Sequence, residues 1–535
     1  MKYGKVMGLV SASLLVLSAC GAGGGGSASK DQGLTNIEFP LKEKATLKIT
    51  TGSSPLAPAD PNDKLIYKRL EEATGVHIEW TNYQSDYGEK RNLDISANEL
   101  PDVFMNGGAS DVDLIKWAKN GVIIPLEDLI DQHMPNLKKV LDENPEYRSM
   151  MTAPDGHIYS LPWIEELGAG KESIHSVNGM AWINTDWLEA LDLEMPETTE
   201  DLVAVLEAFK TQDPNGNGQA DEIPMSFIFN GGNEDFKILM GAFGIGDVDG
   251  HLVVGNDKKV DFTADNEEYK EGIKFMRSLQ EKGLLDTEAF EHDWNTYIAK
   301  GSEHRYGLYF TWDKANVSGF NESYDLLPAL EGPTGIKHIA RTNNYGFSRD
   351  RAIITSANKN LELTAKWLDQ MYVPIQSVQN NWGTYGDDTQ QNIFEYDEAA
   401  GMLKHLPLDG TAPGELRQKT EVGGPLAILD EYYGTVTTMP DDAKWRLDLM
   451  HEAYVPYMNN DYNYPRVFME VEDLETIDLI EADLMEYVER KRAEWIVNGG
   501  IDEEWDAYLA ELERFRLPEW ITIKQKYFDQ FAEAQ

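Results

Sequence analysis

Asp213-Pro-Asn-Gly-Asn-Gly-Gln-Ala-Asp-Glu-Ile-Pro224 is the stretch on which the reading of this chain turns. Asp213, Asn215 and Asn217 place hard oxygen ligands at every second position. Gly218 follows at the sixth, where an EF-hand calcium loop turns sharply. Gln219 offers its backbone carbonyl at the seventh position, and Asp221 falls at the ninth. Pro224 stands at the twelfth, where an EF-hand carries a bidentate Glu, and Glu222 is the substitute. The expected set for a structural Ca²⁺ is therefore Asp213, Asn215, Asn217, Gln219, Asp221 and Glu222, and its three carboxylates suit a hard divalent cation.

Outward from the loop the chain reads as α/β. Thr198 with Asp201 three residues on is a capping box for a helix running to about Lys210. Met225 to Phe229 reads as a strand, so calcium would staple a helix-to-strand connection. Residues 45–110 read as a β-α-β start. Leu47 and Ile49 alternate with polar neighbours, a helix runs from about Lys64 to Ala73 and stops at Gly75, and Val76 to Trp80 is the next strand. Leu100 to Met105 is a third, ending in Asn106-Gly-Gly108. Strands separated by helices favour a parallel sheet whose ligand loops lie at the strands' C-terminal ends. Leu308 to Phe310 is a short apolar strand, and residues 351–355 another. In the helical last stretch, 470–535, Ile477, Ile480, Leu484, Val488 and Trp495 recur at helical spacing as core.

The run from Asn184-Thr-Asp-Trp-Leu-Glu-Ala-Leu191 through the calcium loop is the most specific motif. Leu100-Pro-Asp-Val103, Asp155-Gly-His-Ile-Tyr-Ser-Leu-Pro162 and Trp495-Ile-Val-Asn-Gly-Gly500 support it. In this order they resemble bacterial extracellular solute-binding lipoproteins of the carbohydrate ABC-transporter class. More narrowly, they resemble the calcium-containing branch with the alginate-binding proteins and the LplA type. The resemblance implies a periplasmic-binding-protein-like fold of type II, with two lobes, a hinged ligand cleft and a helical C-terminal extension. It also implies the same calcium ligands as the loop itself. The chain should cross between lobes near 158–163, near 327–333 and near 370. Lobe I is then 37–160 plus 328–370, and lobe II is 161–327 plus 371–535.

The N-terminus reads as a secretory signal over residues 1–19. Lys2 and Lys5 are its positive region, and Met7 to Ala19 is an apolar run too short to span a bilayer. Leu17-Ser-Ala-Cys20 resembles the bacterial lipobox, so Cys20, the one cysteine in 535 residues, is the expected lipidation site. Acyl chains such as palmitate there would hold the protein on the outer face of the cell membrane. The Gly/Ser-rich stretch within 20–36 is a tether with a reach of roughly 20 Å. The formal charge of −46 repels nucleic acid and anionic lipid.

Sugar binding needs flat apolar faces and fixed polar groups in a pre-formed cleft. The candidates are Trp312 with Asp313 as an acceptor, Trp163 with Glu165, Trp382 with Tyr385, then Asn106, Asn344 and Tyr345. No Gly-x-Ser-x-Gly elbow and no His-Glu-x-x-His pattern occurs, and 93 acidic residues make chance carboxylate pairs uninformative. The expectation is a monomeric, non-enzymatic receptor that hands an oligosaccharide to ABC permease subunits. The competing readings are a surface polysaccharide-degrading enzyme, a peptide receptor of the same architecture, and a dockerin-like module, which would need two calcium loops.

Overall fold

The computed structural model describes residues 36–168, 172–177, 179–320, 322–389, 391–458 and 460–534. The expected signal peptide and Cys20 lie outside the described residues, as does the tether up to residue 35. Among the described residues no helix is long and apolar enough to cross a membrane.

Two mixed sheets organise the chain. The first orders its strands Leu426–Ile428, Leu161–Glu165, Phe347–Ile354, Val103–Met105, Ala45–Gly52, Val76–Tyr83. Ala45–Gly52 runs parallel to Val76–Tyr83, rung by rung from Ala45↔Val76 to Gly52↔Tyr83. The helix between them, Leu65–Thr74, ends at Gly75 with φ 75°. A Cβ there would lie 3.1 Å from Leu41, so glycine serves both the left-handed cap and the close approach. Leu47 and Ile49 point into a core with Val103, Leu161, Ala352 and Trp367.

The second sheet orders Tyr324–Leu326, Met180–Asn184, Tyr306–Thr311, Ile223–Met225. Every residue of Tyr306–Thr311 is buried, because apolar layers cover both faces. Such a strand reads as a continuous apolar run without alternation. The helix Thr199–Thr211 starts on the Thr198–Asp201 capping box and leads through the 213–222 loop into Ile223–Met225. That strand begins two residues before the expected Met225.

The helix Val471–Asn498 packs against Glu267–Glu281 beside the second sheet and against Asp111–Lys119 beside the first. Lys116 meets Glu475 at 3.2 Å across the latter contact. Arg492, fully buried, pairs with Asp235 and Glu489 at 2.7 Å each and lies 4.2 Å over the Phe229 ring. A buried guanidinium is tolerated only with such matched partners.

The sheets divide the chain at places other than 160, 327 and 370. Leu161–Glu165 pairs with Phe347–Ile354 and Leu426–Ile428, so it is a strand of the first sheet. Its residues are buried on both faces, which pairing satisfies and an exposed crossing would not. Pro374–Trp382 and the hairpin Phe394–Asp397/Met402–His405 also pack in the first core. The chain leaves the first lobe after Glu165, returns at 342–346, and leaves again before Asp441–Ala453, whose Leu447 and Met450 pack with Trp182. The outgoing and returning segments run side by side, tied by Thr342 N–H to Ser176 O (3.1 Å) and Glu165 N–H to Gly346 O (2.8 Å).

Candidate ligand cleft and calcium loop

Two adjoining cavities, about 680 and 450 Å³, share Trp163 and Arg417 on their walls; the larger lies between the lobes and the smaller beside it in the first lobe. The larger is mainly aromatic and aliphatic. Trp312 enters it one residue past the Tyr306–Thr311 strand, where that strand's C-terminal end opens to the cleft. Trp163 reaches it from the first sheet, and Trp382 from the end of Pro374–Trp382. His175 stands between two of them, its ring centroid 6.3 Å from Trp163 and 5.9 Å from Trp312. The smaller cavity is polar, with Ser53, Ser54, Gln84, Asn106 and Arg351 on its walls. Such a mixture of flat apolar faces and fixed polar groups is what carbohydrate capture requires.

The polar groups between the cavities are held by one another. Asn381 donates its side-chain nitrogen to Glu165 Oε1, and its Oδ1 accepts from Arg417 (2.8 Å) and from Trp163 Nε1 (3.3 Å). Glu165 is buried, and its Oε2 lies 3.7 Å from His175 Nε2. That nitrogen is buried without a hydrogen-bond partner among the described residues. Burial holds the His175 pKa below the usual histidine value, against the pull of Glu165, so the ring is neutral at neutral pH. The Arg351 guanidinium lies 5.8 Å over Trp163. Burial lowers its pKa, opposed by the Asp350 and Glu421 carboxylates.

The expected site residues separate into three groups. Trp312, Trp163, Glu165 and Trp382 line the larger cavity, and Asn106 lines the smaller. Asn106, at φ 64°, has its amide fully engaged: Nδ2 donates to Thr51 Oγ1 (2.9 Å) and Gly52 O (3.2 Å), and Oδ1 accepts from Gly424 N–H. It shapes the wall and has little left to offer a sugar hydroxyl. Asp313 is 2 % exposed, pairs with the buried Arg446, and accepts from Ala315 N–H at 2.8 Å. Arg446 in turn lies 5.2 Å over the Trp312 ring, so Asp313 props the platform from behind.

Tyr385, Asn344 and Tyr345 line neither cavity. Tyr385 stacks on Tyr396 (5.2 Å) under the Arg69 guanidinium (4.2 Å). Asn344 Oδ1 turns back to Gly346 N–H (2.9 Å), and the Tyr345 hydroxyl donates to Asn463 O (3.1 Å). Both therefore build the returning crossing. His175, Arg351, Asn316 and Arg417 were not anticipated. Each comes from a segment whose local pattern gives no sign of the cleft; folding of the first lobe brings Arg351 and Arg417 together, and the lobe pairing adds His175 and Asn316.

In the 213–222 loop, Gly216 and Gly218 take φ 65° and 74°, which glycine adopts most readily. Asp213 accepts from Asn217 N–H (3.1 Å) and Gly218 N–H (2.9 Å), and Asn217 Oδ1 accepts from Gln219 N–H (2.7 Å). The Asn217 and Asn215 side-chain amides donate to Asp221 and hold its carboxyl below the usual range. Glu222 is pushed the other way, by burial first and then by the charges of Asp221 and Asp213. Its Oε1 is buried with no hydrogen-bond partner among the described residues. An orphaned buried carboxylate oxygen beside two like charges is what a bound cation would relieve, so the residues fit Ca²⁺. A second acidic group, Asp286, Glu288 and His292, already has its cation. Lys300 Nζ reaches Asp286 at 3.0 Å, Glu288 at 2.6 Å and His292 at 3.0 Å.

Comparison with known proteins gives the family and the fold. The family described as "Bacterial extracellular solute-binding protein" matches residues 58–376. Over 529 residues the chain is 70 % identical to the fructooligosaccharide ABC transporter substrate-binding protein FusA of Streptococcus pneumoniae, covering 99 % of this chain and 98 % of that one. The structure of FusA in complex with kestose superposes with a TM-score of 0.88 at 72 % identity, covering 92 % of this chain and 100 % of that one. An EF-hand mutant of FusA, in complex with fructo-nystose, matches with the same score, identity and coverage. The two-sheet, two-lobed fold is thus that of the type II binding proteins, and the chain belongs to the bacterial extracellular solute-binding proteins.

Proposed function

We propose that this chain captures a neutral oligosaccharide of the fructooligosaccharide class in the interlobe cleft and presents it to an ABC-type sugar permease. The observation that carries the reading is the near full-length likeness to a protein solved with kestose, joined to a cleft walled by Trp163, Trp312 and Trp382. Charge favours a neutral cargo. In the larger cavity Arg446 faces Asp313 and Asp442, and Arg417 faces Glu421 at 3.6 Å and Glu165. Guanidiniums matched in this way are not free for a uronate carboxylate. The lobes close on the ligand about the paired crossings, Ca²⁺ in the 213–222 loop is structural, and Cys20 carries the lipid anchor on the outer face of the membrane. The receptor acts as a monomer and does no chemistry.

The test is calorimetric titration of the Cys20-truncated protein, in calcium, with kestose, with maltotriose and with a galacturonate trimer, followed by mass analysis of the recovered sugar. Kestose binding with intact sugar supports the reading. A cleaved sugar would make the protein an enzyme, and binding of the galacturonate trimer alone would refute the neutral-ligand assignment.

A further inference from the structure

We infer that Asn316 is an interlobe cap, a positioning residue that fixes the helix bearing Arg417 when the two lobes meet. This rests on the reading of the cleft as the oligosaccharide site. The helix Pro413–Thr420 belongs to the first lobe: Leu416 is part of its core, and the Thr420 hydroxyl donates to Trp382 O. Its own N-cap, Ala412, has no side-chain acceptor, and Pro413 has no N–H. Gly414 N–H is therefore the first donor of the helix, one of the orphans every helix start leaves. Its acceptor is Asn316 Oδ1, at 3.2 Å, and Asn316 belongs to the other lobe.

Asn316 is held stiffly for this task. It sits in the short helix Ala315–Ser318, whose start is fixed by Asp313 accepting from Ala315 N–H. That helix is pressed on Gly301, where a Cβ would come within 2.3 Å of Val317 Cγ1. On the facing side, a Cβ on Gly414 would lie 3.2 Å from Asn316 Oδ1, tighter than ordinary contact. Glycine at 414 lets the two lobes approach. The consequence reaches the cleft through Arg417, which stands on the wall of both cavities and donates to Asn381 at 2.8 Å. The cap thus ties lobe closure to the placement of a guanidinium beside the ligand.

Three variants and one distance decide the matter. Asn316→Ala removes the acceptor. An N-cap replaced by alanine costs about 1 kcal/mol, which is about fivefold in Kd for kestose. Because the cap exists only with the lobes together, the loss should appear as faster release, with the melting temperature of the ligand-free protein unchanged. Asn316→Asp keeps the acceptor, adds a charge favourable at a helix N-terminus, and should restore affinity. Gly414→Ala should cost a similar factor in the wild type and almost nothing in the Asn316→Ala background.

The distance is read by fluorescence transfer between dyes on Glu398→Cys and Glu303→Cys in the Cys20-truncated chain, which has no other cysteine. Without sugar, Asn316→Ala should show a longer mean separation than the wild type. The inference is overturned by an unchanged distance with unchanged Kd, by failure of Asn316→Asp to restore binding, or by a fall in ligand-free melting temperature with Kd unaltered. If the wild type ignores kestose, the proposed function fails, while the distance comparison still decides the cap.

Discussion

Replacing Asp313 by alanine separates two accounts of the cleft. From sequence, Asp313 is a sugar acceptor beside Trp312. In the structure it is 2 % exposed and its carboxylate is taken by Arg446, itself 3 % exposed, and by Ala315 N–H. Removing one member of a buried pair leaves the other charge uncompensated, at a cost of about 3–5 kcal/mol. Asp442 remains 3.4 Å from Arg446, although burial raises its pKa and weakens it as a partner. The lower end, about 3 kcal/mol, is therefore expected. For a cooperative unit of about 200 residues that lowers the melting temperature by about 6–12 °C. The assay is calorimetric melting of the ligand-free protein at neutral pH, with kestose titration below the transition. Asp313→Ala should melt early. Asp313→Ala with Arg446→Met should recover much of the loss, since an apolar pair of similar volume can replace a buried ion pair. An unchanged melting temperature with kestose affinity reduced a hundredfold would refute the supporting role and return Asp313 to the ligand.

Trp312→Ala should weaken kestose binding about 30-fold, corresponding to about 2 kcal/mol for a buried aromatic anchor, while Tyr385→Ala leaves it within twofold. Calorimetric titration of both variants checks the division between cavity-lining and scaffold aromatics. Chelation of calcium should lower the melting temperature and leave kestose affinity nearly unchanged, because no loop residue lines either cavity. At a hundredfold excess over Kd, calcium would contribute about 2.7 kcal/mol to the folded state. Equal loss of stability and affinity on chelation would contradict a structural ion. Glu234, under the Thr311 hydroxyl, has its pKa raised by burial to about 7. A carboxyl raised in the folded state favours folding in its protonated form. That contribution is lost as pH rises from about 4.5 through 7, by at most about 3 kcal/mol. Glu234→Gln should flatten the dependence of melting temperature on pH between 5 and 8, and an unaltered slope would show that the group does not titrate there.

Much of the fold was legible because its signals are local. Leu47 and Ile49 alternate, Gly75 ends a helix, and Thr198 with Asp201 announces one, so each element reveals itself within a few residues. The 213–222 loop is the extreme case, with candidate calcium donors and turn glycines contiguous. Lobe boundaries carry no such signal. Whether Leu161–Glu165 crosses or pairs depends on Phe347–Ile354 and Leu426–Ile428, far along the chain. Of the candidate site, Trp312 just past a strand, Trp382 at a helix end and Trp163 in mid-strand reached the cavity, and for Trp312 the reason is that ligand loops follow strand ends in open sheets. Tyr385 lies three residues past Trp382, beyond a glycine at φ 127°, and the chain there has turned outward to Tyr396. Nothing within the sequence Gly383-Thr-Tyr-Gly386 reveals that direction.

The residues missed share one property, which bears on how the cleft works. His175 stands on the outgoing crossing, Arg351 on the strand after the returning one, Asn316 on the second lobe, and Arg417 on the first. The first lobe alone walls the smaller cavity, but the larger one around Trp163 draws on both lobes. His175 meets Trp312 of the second lobe and Trp163 of the first, while Asn381 joins Glu165 to Arg417. Opening the lobes would part Trp312 and Asn316 from the first-lobe set of Trp163, Glu165, Asn381 and Arg417, and closing them restores the contact. Capture and closure are then one equilibrium, in which ligand binding shifts the population toward the joined form by its differential affinity for that form. A variant that weakens an interlobe contact should therefore lower affinity for every cargo by one common factor. A variant of a cavity wall should change the ranking among cargoes. Titrating Asn316→Ala and Trp312→Ala against kestose and a longer fructooligosaccharide distinguishes the two, and a changed ranking in Asn316→Ala would show that the residue touches sugar directly.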